Sequence, residues 1–202
     1  MQITEMIEAV QKKLRVQIDG KAGAETWGAI YAEIVKPTIG GMAPILAISK
    51  VDERSENYIA TLLPEVQPIA RALVQKAAAN GIVIKVISGF RTYEEQDALY
   101  AKGRTVAGEK VTNVRGGYSN HNFGIAFDVG VFSGNSYLGE SPKYKAVGLL
   151  GMDLGLEWGG NWTSIVDEPH FQLRPIWAEG LPQKEFLAGL RARVSTGASM
   201  FA

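Results

Sequence analysis

Apolar residues recur along this chain with two different periods, and the switches between them mark out its elements. Ile3, Met6, Ile7, Val10 and Leu14 fall at helical spacing and predict an amphipathic helix. Asp19-Gly20 and Gly23 predict a tight turn, and Trp27, Ile30, Tyr31 and Ile34 a second helix. Pro37 and Gly40-Gly41 then read as a linker. A second unit opens with Val66, Ile69, Ala70, Leu73, Val74 and Ala77, a helical stripe stopped by Gly81. The β-branched run Ile82 to Ile87 predicts a strand. Thr92 and Glu95 have the spacing of a capping box, in which each side chain satisfies a free backbone N–H. The helix they start carries Leu99 and Tyr100 and ends at Gly103. Residues 105–120 are polar and glycine-rich, a long loop, and Ile125 to Phe132 a second strand. Ser141-Pro142 opens another helix, with Tyr144, Val147, Leu150 and Leu154 facing inward. Glu157 to Trp162 reads as a turn region, His170 to Leu173 as a short strand, and Phe186, Leu187 and Leu190 as a closing helix. The tail from Ser195 is expected to fray. Strands separated by helical runs, without a regular βαβ alternation, predict an α+β fold.

Length, composition and charge change this picture further. A chain of 202 residues can bury a sizeable core, whereas two short helices around a glycine turn cannot do so alone. Lys+Arg and Asp+Glu both total 21, so no charge excess points to nucleic acid or an anionic membrane. There is no cysteine, which excludes disulfides and thiolate ligands, so any metal must rest on histidine and carboxylate. No apolar run approaches the ~18 residues of a spanning helix, so no membrane insertion is expected. Met1 to Met6 lacks the basic start and apolar run of a secretory signal. A substrate outside the cytoplasm would then be reached by a non-classical route or through phage lysis. No coiled-coil pattern is present, and the expected state is a monomer.

The candidate chemistry rests on the only two histidines in the chain. One lies in Ser119-Asn120-His121-Asn122-Phe123-Gly124-Ile125-Ala126-Phe127-Asp128, the other in Asp167-Glu168-Pro169-His170-Phe171. Two imidazoles and one carboxylate hold zinc and leave a fourth position for water, as hydrolytic sites require. His121, Asp128 and His170 are the candidate set, and Asp167 a candidate base three residues before the second histidine. His121 and Asp128 are an odd number of residues apart, which on one straight strand would point them to opposite faces. Gly124 between them can supply the bend or bulge that turns both inward. Arg91, at the corner Ser88-Gly89-Phe90-Arg91-Thr92, is the candidate cation for an oxyanion. Each residue alone has a plainer reading. Arg91 would pair with Glu94 or Glu95, Asp128 would end a strand, Asp167 would shape a turn, and Trp158 and Trp162 would pack in the core. What favours the site is that these segments occur together, in order, in one domain.

At these residues the chain resembles the zinc peptidases of the D-Ala-D-Ala carboxypeptidase and L-alanyl-D-glutamate endopeptidase group. The likeness rests on Ser-x-His-x-x-Gly-x-Ala-x-Asp at 119–128, Pro169-His170-Phe171, Ser88 to Thr92 and Trp158-Gly159-Gly160. It is nearest to the L-alanyl-D-glutamate branch, which includes phage endolysins and bacterial cell-wall hydrolases. Asp167 and Pro169 stand where many D-Ala-D-Ala enzymes have Glu and Trp. The resemblance implies a small antiparallel sheet carrying zinc, flanked by helices. It implies His121, Asp128 and His170 as ligands, Asp167 as acid/base and Arg91 near the scissile carbonyl. It places Ser119 beside the metal or facing substrate, and Trp158 in contact with substrate. Val10-Gln11, Asp19-Gly20 and Thr26 resemble a shortened peptidoglycan-binding helical module. The expected organisation is a helical module over 1–36, a linker over 37–42, a zinc peptidase domain over 43–193 and a tail over 194–202. The implied activity is hydrolysis of the L-Ala–D-Glu bond of peptidoglycan stem peptides, at the cell wall. The alternatives are a D,D-carboxypeptidase or dipeptidase with the same site, or a non-catalytic wall-binding protein.

Overall fold

A computed structural model describes residues 2–14, 16–23, 26 and 49–202. The helix expected over Trp27 to Ile34, and the linker at Pro37 and Gly40-Gly41, lie outside the described residues. The chain divides into two units, residues 1–46 and residues 47–202.

In the first unit α1 spans Ile3–Leu14. Its buried residue is not one of the apolar stripe but Gln11, whereas Ile3, Met6 and Val10 are exposed. The Gln11 carboxamide donates to Asp19 Oδ1 at 2.7 Å and Thr26 Oγ1 at 2.9 Å, and accepts from the Asp19 and Gly20 N–H groups. A buried amide is tolerable only when so satisfied, and here it holds the glycine turn onto the helix.

The second unit is α+β. Its elements are α2 (Glu53–Ile59), α3 (Gln67–Ala79), β1 (Val83–Ser88), α4 (Tyr93–Ala101), β2 (Ala126–Ser133), β3 (Ser136–Leu138), α5 (Lys143–Asp153), β4 (Glu157–Trp158), β5 (His170–Gln172) and α6 (Gln183–Thr196). The sheet runs β1-β2-β5-β4, with β3 paired to β2 as a hairpin, and all these pairings are antiparallel. The sequence pattern did not mark α2, because its seven residues bury only Ser55 and Ile59. It missed β3 for a similar reason, since three residues with none fully buried leave no periodic signal.

Alternation along β2 sorts the residues of the sheet into two faces. Phe127, Val129 and Val131 enter the main core with Ile84 and Val86 of β1, Phe171 of β5 and the inner faces of α3 and α5. Phe127 stacks on Phe171 across the pair, ring centroids 5.9 Å apart. Asp128, between Phe127 and Val129 in sequence, faces the other way. A second apolar cluster joins Phe123 and Ile125 to Phe186, Leu187 and Leu190 of α6. Tyr144 of α5 stitches the layers: its hydroxyl donates to the Leu138 carbonyl and accepts from the Val131 N–H, and burial pushes the phenol up to about 12.

Two expectations need correction. α6 runs through Thr196 and stops at Gly197 in the left-handed conformation, so Ser195 is helical rather than frayed. The chain beyond it packs back, with the Trp177 indole N–H bonded to the Met200 carbonyl at 2.8 Å. Glu157-Trp158 is not simply turn but a two-residue strand on the edge of the sheet.

Candidate metal centre

The register of three strands lines up the centre. Asp128 of β2 lies opposite Ser88 of β1 on one side and opposite His170 of β5 on the other. The β1–β2 register shifts between Val86 and Ser88, so the irregularity falls beside Asp128. His121 does not share the strand. It sits on a short 3-10 turn, Asn120–Phe123, with Ser119 as its N-cap. Gly124, at φ +68°, ends that turn in the left-handed region before β2 begins. The odd offset to Asp128 is therefore resolved by a turn ahead of the strand, not by a bulge within it.

Three donor atoms converge. His121 Nε2, His170 Nδ1 and Asp128 Oδ1 lie 3.2 Å from one another on every edge of the triangle. Tetrahedral donors at zinc bond lengths of about 2.0–2.1 Å stand about 3.3 Å apart, so the triangle has the size zinc requires. Among the described residues, this is the group of His and carboxylate able to hold a metal ion. The outer nitrogen of each imidazole is committed elsewhere: His121 Nδ1 to the Gly89 carbonyl at 2.8 Å, His170 Nε2 to Gln172 Oε1 at 3.0 Å. Both partners are acceptors, so in the neutral imidazoles the inner nitrogens carry the lone pairs, aimed at one point beside a carboxylate. Both histidines are buried. Trp162 covers His170, its ring centroid 4.8 Å from that of the imidazole.

Electrostatics follow from this crowding. Burial pushes the Asp128 carboxyl up, but His121 and His170 outweigh it and hold the group well below its ordinary value. Burial works against a charged His170, but the bond and charge of Asp128 outweigh it and raise the imidazole. Asp167 is half-buried, and desolvation raises its carboxyl above the ordinary value, opposed by His170 and reinforced by Asp128. Its backbone is tied in place: the Asp167 N–H donates to the Gly159 carbonyl at 3.0 Å, and its own carbonyl accepts from the His170 N–H at 3.2 Å. A Cβ on Gly159 would stand 2.5 Å from the Asp167 carbonyl oxygen and 3.0 Å from His170 Cβ, so this position admits only glycine without displacing the turn.

Arg91 is held by neutral partners. Nη1 donates to Gln96 Oε1 at 2.7 Å and Nη2 to Ser88 Oγ at 3.1 Å, and Ser88 neighbours Asp128. The plainer pairing with Glu94 or Glu95 is not what the structure has. Glu95 turns back to the Thr92 N–H and completes the capping box, and among the described residues no carboxylate lies within ion-pair distance of Arg91. Its charge is therefore left uncancelled. Gly89 is needed for packing, since a Cβ there would meet Thr61 Oγ1 at 2.4 Å and the Tyr58 carbonyl at 2.6 Å.

Ser119 is half-buried beside the turn it caps. Trp158 is 8 % exposed, sits in the main core against α5, and donates its indole N–H to the Glu168 carbonyl at 2.7 Å. Its observed contacts are thus those of a packing residue supporting the 167–170 turn, and Trp162 is the tryptophan beside the metal-facing imidazole. Sequence reasoning also passed over Asn122, Gln96, Gln172 and Asn120. Asn122 donates to the Arg91 and Thr92 carbonyls and accepts from the Gly117 and Ser119 N–H groups, locking the Arg91 corner to the His121 turn. No sequence signal marks these four, because amides carry no distinctive spacing and their burial is set by the fold.

The VanY family of D-alanyl-D-alanine carboxypeptidases matches residues 60–148. The peptidoglycan L-alanyl-D-glutamate endopeptidase CwlK of Bacillus subtilis (strain 168) is 39% identical over 126 residues, spanning 56% of this chain and 74% of that protein. The L-alanyl-D-glutamate peptidase of Listeria phage A118 is 30% identical over 122 residues, 59% of this chain and 40% of that protein. Among solved structures, the Serratia marcescens L-Ala D-Glu endopeptidase ChiX aligns with a TM-score of 0.48 at 23% identity, covering 61% of this chain and 88% of that one.

Proposed function

This chain belongs to the L-alanyl-D-glutamate endopeptidase branch of the D-Ala-D-Ala carboxypeptidase-like zinc peptidases, and from that premise we propose how its residues divide the work. The reaction is hydrolysis of the L-Ala–D-Glu amide of peptidoglycan stem peptides. The observation that carries the reading is the triangle of His121 Nε2, His170 Nδ1 and Asp128 Oδ1, sized for zinc. These three side chains would hold the ion. Zinc bound there supplies Lewis acidity and makes water a competent nucleophile near neutral pH.

The chain's own groups do the rest. Asp167 takes the proton of the attacking water and delivers it to the departing D-Glu amine as the C–N bond breaks. Its raised affinity for protons, caused first by burial, suits a group that must both accept and release one. Arg91 directs an uncancelled guanidinium toward the oxyanion that forms on the L-Ala carbonyl, and its bonds to Gln96 and Ser88 mean little reorientation is needed. Ser119, which caps the His121 turn, and the face of Trp162, beside the His170 imidazole, contact the stem peptide. Residues 1–36 assist by binding the wall, with the Gln11 carboxamide fixing the Asp19–Lys21 turn as a rigid element of that surface. Action on peptidoglycan places the protein's work at the cell wall, and no helix among the described residues is long and apolar enough to cross a membrane.

The test is mass spectrometry of muropeptides after incubation with zinc-loaded protein, beside a His121→Ala control. The expected result is a peptide beginning at D-Glu together with a fragment ending in L-Ala, absent in the control. Release of free D-Ala instead would move the chain to the carboxypeptidase reading. Absence of any product would overturn the catalytic one.

A further inference from the structure

The two imidazoles are oriented by different means. His121 is set by a backbone carbonyl, that of Gly89, which the fold itself fixes. His170 is set by side chains. Gln172, 1 % exposed and two residues along β5, presents Oε1 to His170 Nε2 at 3.0 Å and to the Asn120 amide, and donates through Nε2 to Glu157 Oε2 at 2.6 Å. The other oxygen of Glu157 is paired with Arg174. Asn120 in turn accepts from Gln183 Nε2 at 3.1 Å.

The polarity of this chain of bonds is determined from its far end. Arg174 can only donate and a carboxylate can only accept, so Glu157 must meet the NH2 group of Gln172. That fixes the carbonyl end of Gln172 toward His170, which must then carry its proton on Nε2 and keep Nδ1 free. A reversed amide would offer donors to Nε2 and drive the proton to Nδ1, closing the ligand position. We propose that Gln172 and Glu157 are positioning residues that hold His170 in its metal-binding orientation and tautomer, with the Glu157 carboxylate setting the direction of the relay and Arg174 holding that carboxylate in place. This rests on the zinc-peptidase reading above.

Glu157→Gln is the informative variant. The replacement is near in shape and the wild-type side chain is 37% exposed, so folding should survive. Arg174 would claim the oxygen of the introduced amide and turn its NH2 toward Gln172, reversing the relay. Zinc affinity, measured by competition with a chromophoric chelator, should fall about 10–100-fold, the range usual for loss of such an outer partner. The His170 Nε2–H proton of the zinc-loaded protein should lose its protection from solvent exchange. The double change Glu157→Gln with Gln172→Glu restores the polarity at constant net charge, since the carboxylate then at position 172 accepts from His170, from Asn120 and from the amide introduced at position 157. It should recover wild-type affinity and protection. Unchanged affinity in Glu157→Gln overturns the inference. So does an affinity loss that tracks a drop in the melting temperature of the metal-free protein and is not rescued by the swap. Failure of the wild type to take up zinc would instead refute the metal site itself and the inference with it.

Discussion

Asp128 lies between two imidazoles that it can hold in either of two ways. Without metal, its carboxylate pairs with protonated imidazole; with zinc, the ion takes the place of the protons. The metal-free protein therefore has a signed pH dependence. Burial opposes a charged His170, but Asp128 outweighs it and raises the folded pKa. The contribution of His170 to stability is thus complete below the unfolded value of about 6.5 and is lost as pH rises through the folded value. The melting temperature of chelated protein should fall across that window. Zinc-loaded protein should not follow it, because deprotonated ligands bind the ion more tightly. A flat profile for chelated protein would show that the pair does not charge. For Asp167, replacement by Asn should leave zinc content unchanged and lower kcat about 10²–10⁴-fold, the usual contribution of a positioned acid/base. Retained turnover would remove Asp167 from the mechanism.

At the scale of elements, the site depends on how closely short segments approach. The 167–170 turn closes over Gly159, where a Cβ would stand 2.5 Å from a backbone oxygen. Gly159→Ala should displace that turn, costing about 1–3 kcal/mol as overpacking does, and loosen His170 at the same time. Chemical denaturation and zinc titration measure the two effects, and wild-type values in both would mean the turn is free to shift. The capping box at Thr92 has a related duty. By engaging Glu95 it removes one competitor for the Arg91 guanidinium, so a helix-start motif readable in sequence also protects a cation.

Over the whole molecule, every proposed site residue and both apolar clusters fall within residues 47–202. A protein comprising those residues alone should cleave soluble muropeptides at near the full-length rate. It should sediment less with intact sacculi if residues 1–36 bind the wall. Lost cleavage of soluble muropeptides would show that residues 47–202 do not act alone. Sequence by itself determined the class of fold, the main helices and strands, and the types of residue that carry the chemistry. It did so because helical and strand periodicities, capping pairs and metal-ligating side chains are local and leave local marks. What only the tertiary structure decided is how those residues meet. Ser88, Asp128 and His170 come together through strand register, and His121 through a turn that ends at Gly124. Trp158 goes to the core while Trp162 covers the imidazole, although nothing in their sequence positions separates them. The amides of Asn120, Asn122 and Gln172 acquire roles from partners as many as 63 residues away in sequence. A buried amide is specified by the groups across from it, and pairing across a sheet is set by the packing of the whole core rather than by any one segment.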